Sequence, residues 1–62
     1  MEDLRSKLEA KRLTPRQLSE ATGLSEAYIH RILSRKQIPS METAALIIEK
    51  SGRAFKLTDF LP

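Results

Sequence analysis

The stretch ATGLSEAYIH, Ala21 to His30, stops one helix and starts another within two residues. Gly23 suits the left-handed position just past a helix end, because it has no Cβ to clash there. Ser25 is a preferred N-cap for the helix that follows. Two helices joined this tightly must cross at a steep angle. With 62 residues the chain is at most one domain, and a domain of that size is only marginally able to bury a core. The corner at Gly23 therefore organises the fold.

Helix signals fill the rest of the chain. Leu4 and Leu8 stand four apart on a first helix expected from about Asp3 to Lys11. In LTPRQL, Leu13 to Leu18, Thr14 can cap, Pro15 fits the first helical position and Gln17 completes a capping box. Leu13 and Leu18 stand at staple spacing across that start, and Leu24 and Ile29 repeat the spacing across the next. The second helix is expected to end at Thr22. The third runs from Ser25 to about Ser34 with Ile29, Ile32 and Leu33 on one stripe. SRKQIP, Ser34 to Pro39, reads as a loop with Ile38 tucked inward. Ser40 caps a fourth helix ending at Gly52, with Met41, Ala44, Ala45 and Ile48 as its buried face. In the tail, Phe55 and Leu57 alternate like a strand, while Thr58 can instead cap a last turn holding Phe60 and Leu61. The expected fold is all-α, a compact bundle of four to five short helices forming one domain over 1–62, with the helix-turn-helix at about 14–34.

Charge narrows the function classes. The net charge is +3 and unevenly placed. Arg5, Lys7, Lys11, Arg12 and Arg16 crowd the first quarter, with Glu9 as the acid among them, and Ala27 to Met41 holds Arg31, Arg35 and Lys36 with no acid. A basic stripe on a neutral-to-acidic body is the footprint of a polyanion binder; mixed-charge solvated faces are the plainer alternative. With no cysteine, neither a disulfide framework nor a thiolate metal site is available. The longest apolar run, Ala44 to Ile48, is far too short for a membrane span. The N-terminus lacks a signal-peptide core, so a soluble cytoplasmic protein is expected. His30 is the single histidine; a plain surface histidine is its default reading and a base contact the next, and no Gly-rich phosphate loop, paired carboxylates or nucleophile elbow accompanies it. No cofactor, metal or enzymatic activity is expected.

LTPRQLSEATGLSEAYIHRILSRKQIPSMETAALIIEKSG, Leu13 to Gly52, resembles the Cro/C1-type (phage-repressor-like, lambda-repressor-like) helix-turn-helix domain. The resemblance rests on Leu18-Ser19, Gly23-Leu24-Ser25, Tyr28-Ile29, Pro39-Ser40 and Glu42-Thr43 at the family's spacing. It covers roughly two thirds of the chain. Pro15 stands where the family commonly has a Gln that touches the DNA backbone, and Ser19 replaces the usual Ala at the helix crossing. The tail lies outside the shared pattern.

The resemblance implies binding of double-stranded DNA, with bases read near the N-terminus and outer face of the third helix: Glu26, Ala27, His30 and Arg31. Geometry alone points to overlapping residues. At about 100° per residue, Ala27, Arg31 and Ser34 lie opposite Ile29, Ile32 and Leu33. Arg31 can donate two parallel hydrogen bonds to guanine, Ala27 can meet a thymine methyl, and Glu26 can accept from cytosine. Glu26 in a first turn also stabilises the helix dipole without any ligand. Tyr28, Arg35, Lys36 and Gln37 resemble the family's phosphate-contacting positions; Arg16, Ser25 and Ser34 join them as candidates. Ser25 has a capping role first, and Lys36 also suits a solvated loop. Lys7, Lys11 and Arg12 are expected to form a wet face.

The expected function is a sequence-specific transcriptional repressor of phage or bacterial type, a weak homodimer on a palindromic operator. An antitoxin-type protein that binds a protein partner as well as DNA is the alternative. Phe55, Leu57, Phe60 and Leu61 in the tail, 53–62, are more large apolar residues than such a monomer obviously needs, so the tail is the expected dimerisation element. Core capping by the same residues is the competing reading.

Overall fold

Four short α-helices and one 3-10 turn make up the computed structural model, which describes residues 4–61. They are α1 (Arg5–Ala10), α2 (Pro15–Thr22), α3 (Glu26–Leu33), α4 (Met41–Lys50) and the turn Leu57–Phe60. The all-α expectation is met, with no strand among the described residues. The expected helix start at Asp3 lies outside them.

Three helices begin on the anticipated caps. The Thr14 hydroxyl accepts from the Gln17 N–H at 3.1 Å while the Gln17 side chain accepts from the Thr14 N–H at 2.9 Å. Ser25 accepts from the Tyr28 N–H and Ser40 from the Thr43 N–H, each at 3.2 Å. These bonds satisfy backbone donors that a helix start leaves without partners. α1 starts differently. Leu4 occupies the cap position with no side-chain hydrogen bond, and its N–H donates to the Leu33 carbonyl at 3.2 Å. The first helix is thus stitched to the end of the third.

Helix ends use left-handed residues. Gly23 closes α2 at φ 79°, its N–H donating to the Ser19 carbonyl. α1 and α3 end on arginines instead: Arg12 at φ 57° and Arg35 at φ 62°. The next N–H, of Leu13 or Lys36, then reaches back five residues to the Leu8 or Arg31 carbonyl, which is the Schellman closure.

The corner itself carries side-chain bonds. The Ser19 hydroxyl donates to the Leu24 carbonyl across the turn. The Thr22 hydroxyl donates to the Leu18 carbonyl at 2.8 Å and accepts from the Leu24 N–H at 3.2 Å. Ser19 is therefore more than a small residue at the crossing: it ties the strand of chain between α2 and α3 to α2.

The core gathers Leu4, Leu8, Leu18, Ile29, Ile32, Leu33, Ala44, Ile47, Phe55 and Phe60. Leu13, Leu24 and Tyr28 pack against it partly buried. Three expectations are corrected. Ile38 is 55% exposed and Pro39 takes the inward place, because the chain re-enters one residue later, immediately before the Ser40 cap. Met41 is 65% exposed and Ala45 is also exposed. The buried face of α4 centres on Ala44 and Ile47, with Ile48 half-buried. Finally, the tail forms the expected last turn holding Phe60 rather than a strand, but Thr58 lies inside that turn instead of capping it. Lys56 precedes the turn, and its N–H donates to the Asp59 carboxylate at 2.8 Å. Phe55 and Phe60 then face each other with ring centroids 5.4 Å apart.

Candidate nucleic-acid interface

α3 has two unlike sides. Ile29, Ile32 and Leu33 anchor one side in the core. Glu26, Ala27 and Arg31 are exposed on the other, and His30 is half-buried at its edge. The four candidate base-reading residues thus share one outward surface. Ala27 keeps part of it low, which allows close approach, and Arg31 carries a fixed positive charge with five N–H donors.

Glu26 and His30 are already engaged. Oε2 of Glu26 lies 3.4 Å from Nε2 of His30, one helical turn away. On the far side of the ring, Nη2 of Arg5 lies 3.3 Å from Nδ1. Arg5 was not among the candidates read from the sequence. It lies 25 residues away on α1, and local spacing carries no signal for a contact that the α1–α3 packing creates.

The candidate phosphate-contacting residues divide by their present partners. Ser25 and Ser34 spend their hydroxyls locally: Ser25 caps α3, and Ser34 donates back to the His30 carbonyl at 2.8 Å. Tyr28 is half-buried beside the core. Arg16 is exposed and faces Glu20 one turn along α2 at 3.4 Å. Lys36 and Gln37 are exposed in the turn after α3, their N–H groups both directed at the Arg31 carbonyl. Arg35 leans toward the tail, its Nη1 donating to the Asp59 carbonyl at 3.1 Å.

Asp59 gathers the basic residues at that end. Lys7 reaches its carboxylate at 2.7 Å, so the expected wet face of α1 is partly committed to structure. Burial opposes the charge on Asp59. The Lys56 N–H, then the Lys7 ammonium by hydrogen bond and charge, then the Arg35 charge outweigh it, holding the carboxyl below its ordinary range.

Among the described residues no cluster of His, Asp and Glu is arranged to hold a metal ion, and no helix is long and apolar enough to cross a membrane. A family model described as helix-turn-helix matches residues 4–57. No curated protein and no solved structure matches the chain.

Proposed function

The chain belongs to the Cro/C1-type helix-turn-helix family of DNA-binding regulators, and from that premise we propose that it is a sequence-specific repressor reading the major groove with α3. The observation that carries this reading is the outward surface of α3. Glu26, Ala27, His30 and Arg31 share it while the opposite side of the same helix is locked in the core. A recognition helix needs that division, since its base contacts are useful only if its body is rigidly placed. Arg16, Lys36 and Gln37, exposed, are proposed to orient the protein on phosphates. Arg35 joins them by exchanging the Asp59 carbonyl for a phosphate oxygen, Tyr28 through its hydroxyl, and Ser25 and Ser34 from the two ends of α3. Repression would follow from occupying a site that polymerase needs.

Selection of bound sites from a random duplex pool tests the proposal. A single enriched motif whose affinity falls steeply with salt is expected. Salt-sensitive binding with no enriched motif would refute sequence specificity.

One recognition helix covers too few base pairs to find a site among genomic competitors, so a two-fold dimer on a palindromic operator is part of the proposal. Exposed apolar residues support a partner: Phe55 and Phe60 are used by the core, while Met41, Ala45 and Leu57 line an open shelf between α4 and the tail. Half-sites about 34–36 Å apart are expected. Sedimentation with and without operator DNA checks it. A strict one-to-one complex on a palindrome would sink the dimer, and stable co-purification with a different small protein would favour the antitoxin-type alternative.

A further inference from the structure

Arg5 and Glu26 close on His30 from opposite ends of its ring, at 3.3 Å from Nδ1 and 3.4 Å from Nε2. A guanidinium can only donate, and an ionised carboxylate can only accept. Nδ1 must therefore offer its lone pair, and the proton must sit on Nε2. The other neutral tautomer sets donor against donor at Arg5 and lone pair against carboxylate at Glu26. The doubly protonated ring suits Glu26 but places an N–H and a positive charge against Arg5. Only one of the three forms fits both neighbours.

We propose that Arg5, on α1 and outside the recognition helix, is a positioning residue for base reading: it holds His30 in the Nε2–H form, so that α3 offers an N–H donor to the major groove. The proposal rests on the DNA-binding reading above. Off DNA, Glu26 and Arg5 hold the tautomer together. On DNA, Glu26 turns to a base, and Arg5 alone keeps the lone pair of Nδ1 occupied. The Nε2–H of His30 then meets an acceptor, guanine O6 or N7, while Glu26 accepts from the cytosine amino group. Acceptor and donor one helical turn apart match a G·C pair. The Nδ1–H tautomer would instead bring a bare lone pair to the groove and favour an amino group there, so a contact from α1 shapes which base α3 prefers.

His30 being the single histidine, its ring nitrogens are directly assignable by nitrogen-15 NMR. Spectra are taken with a single proton on the ring, in a Glu26→Ala background that keeps the Arg5 contact. The Nε2–H form is expected to dominate with Arg5 in place, to relax to the mixed tautomers of a free imidazole with Arg5→Met, and to return with Arg5→Lys. An identical spectrum with and without Arg5 overturns the proposal. On duplexes varied one base pair at a time, Arg5→Met in the otherwise native chain should lower preference by about three- to tenfold, a single hydrogen bond's share. The loss should fall at the same base pair that His30→Ala relaxes, with no further loss in the double variant. Equal weakening on every duplex, with a shallower salt slope, would make Arg5 a phosphate contact and also overturn it. A native chain that enriches no duplex refutes the sequence-specific reading and the groove step with it, whereas the tautomer spectra judge the Arg5 contact whatever the chain binds.

Discussion

Arg31 and His30 stand next to each other on α3, yet they enter the proposed interface differently. Arg31 is exposed with its guanidinium available, while His30 sits between two charged neighbours. Arg31→Ala should therefore weaken specific binding by about 1–3 kcal/mol and relax preference at one base pair, with a smaller change on random DNA. Titration of a cognate duplex and a scrambled one checks this; equal losses on both would make Arg31 a backbone contact. At this scale the outward residues of α3 were legible from helical phase alone, because Ile29, Ile32 and Leu33 define the inward side. Arg5 was not, since nothing near it in sequence reports a partner 25 residues away. Ser19 was half legible: its small size was readable, but its hydrogen bond to the Leu24 carbonyl appears only once the corner is folded.

Helix ends show why elements are easier to read than their junctions. Thr14, Ser25 and Ser40 cap as their local sequence dictates, because capping needs only residues within one turn. The loop after α3 departs from expectation at Ile38 because a hydrophobic residue beside a proline gives no phase, and the chain turns inward one residue later, at Pro39. Gly23 and Arg12 allow a paired prediction of opposite sign. A Cβ added at Gly23 would meet nothing within 4 Å, so the cost of Gly23→Val lies in the backbone at φ 79°. That cost should be about 1–2 kcal/mol, more for a β-branched residue than for Ala. Arg12 already bears such strain at φ 57°, so Arg12→Gly should raise stability, by up to about 1 kcal/mol after glycine's own entropy is counted. Thermal melting reads both, with about 4–8 °C expected per kcal/mol for a domain of this size. An unchanged midpoint for Gly23→Val would mean the corner accommodates a side chain by changing shape.

Across the whole molecule, the tail was the least legible part. Alternation of Phe55 and Leu57 suggested a strand, but a strand needs a neighbour, and a helical bundle supplies none. What decides its shape is Asp59, which accepts from Lys56 within the turn and binds Lys7 on α1. Its carboxyl is held below the ordinary range, so its contribution to stability is complete above the unfolded-state value and disappears as pH falls through the folded-state value. Asp59→Asn, which keeps an acceptor for the Lys56 N–H, should cost about 1–3 kcal/mol near neutral pH, as expected for a charge-assisted bond. The gap in melting temperature between the two proteins should narrow from about pH 6 to about pH 2. A gap that stays constant over that range would show that the charge on Asp59 contributes nothing.

The Lys7–Asp59 bond has a kinetic consequence as well. It joins residues 52 apart, nearly the full length of the chain, whereas the corner between α2 and α3 joins residues a few positions apart. Closing so long a loop is entropically costly and yields little until the segment between is ordered. The helix-turn-helix and α4 are then the early structure, and α1 and the tail meet over them last, like a clasp. Lys7→Met should accordingly speed unfolding several-fold and leave the folding rate nearly unchanged, the pattern of a contact absent from the transition state. Stopped-flow folding and unfolding arms would show it: a slowed folding arm would place the clasp in the nucleus. If the arms behave as expected, this domain resists unfolding through a bond that contributes nothing to how quickly it folds.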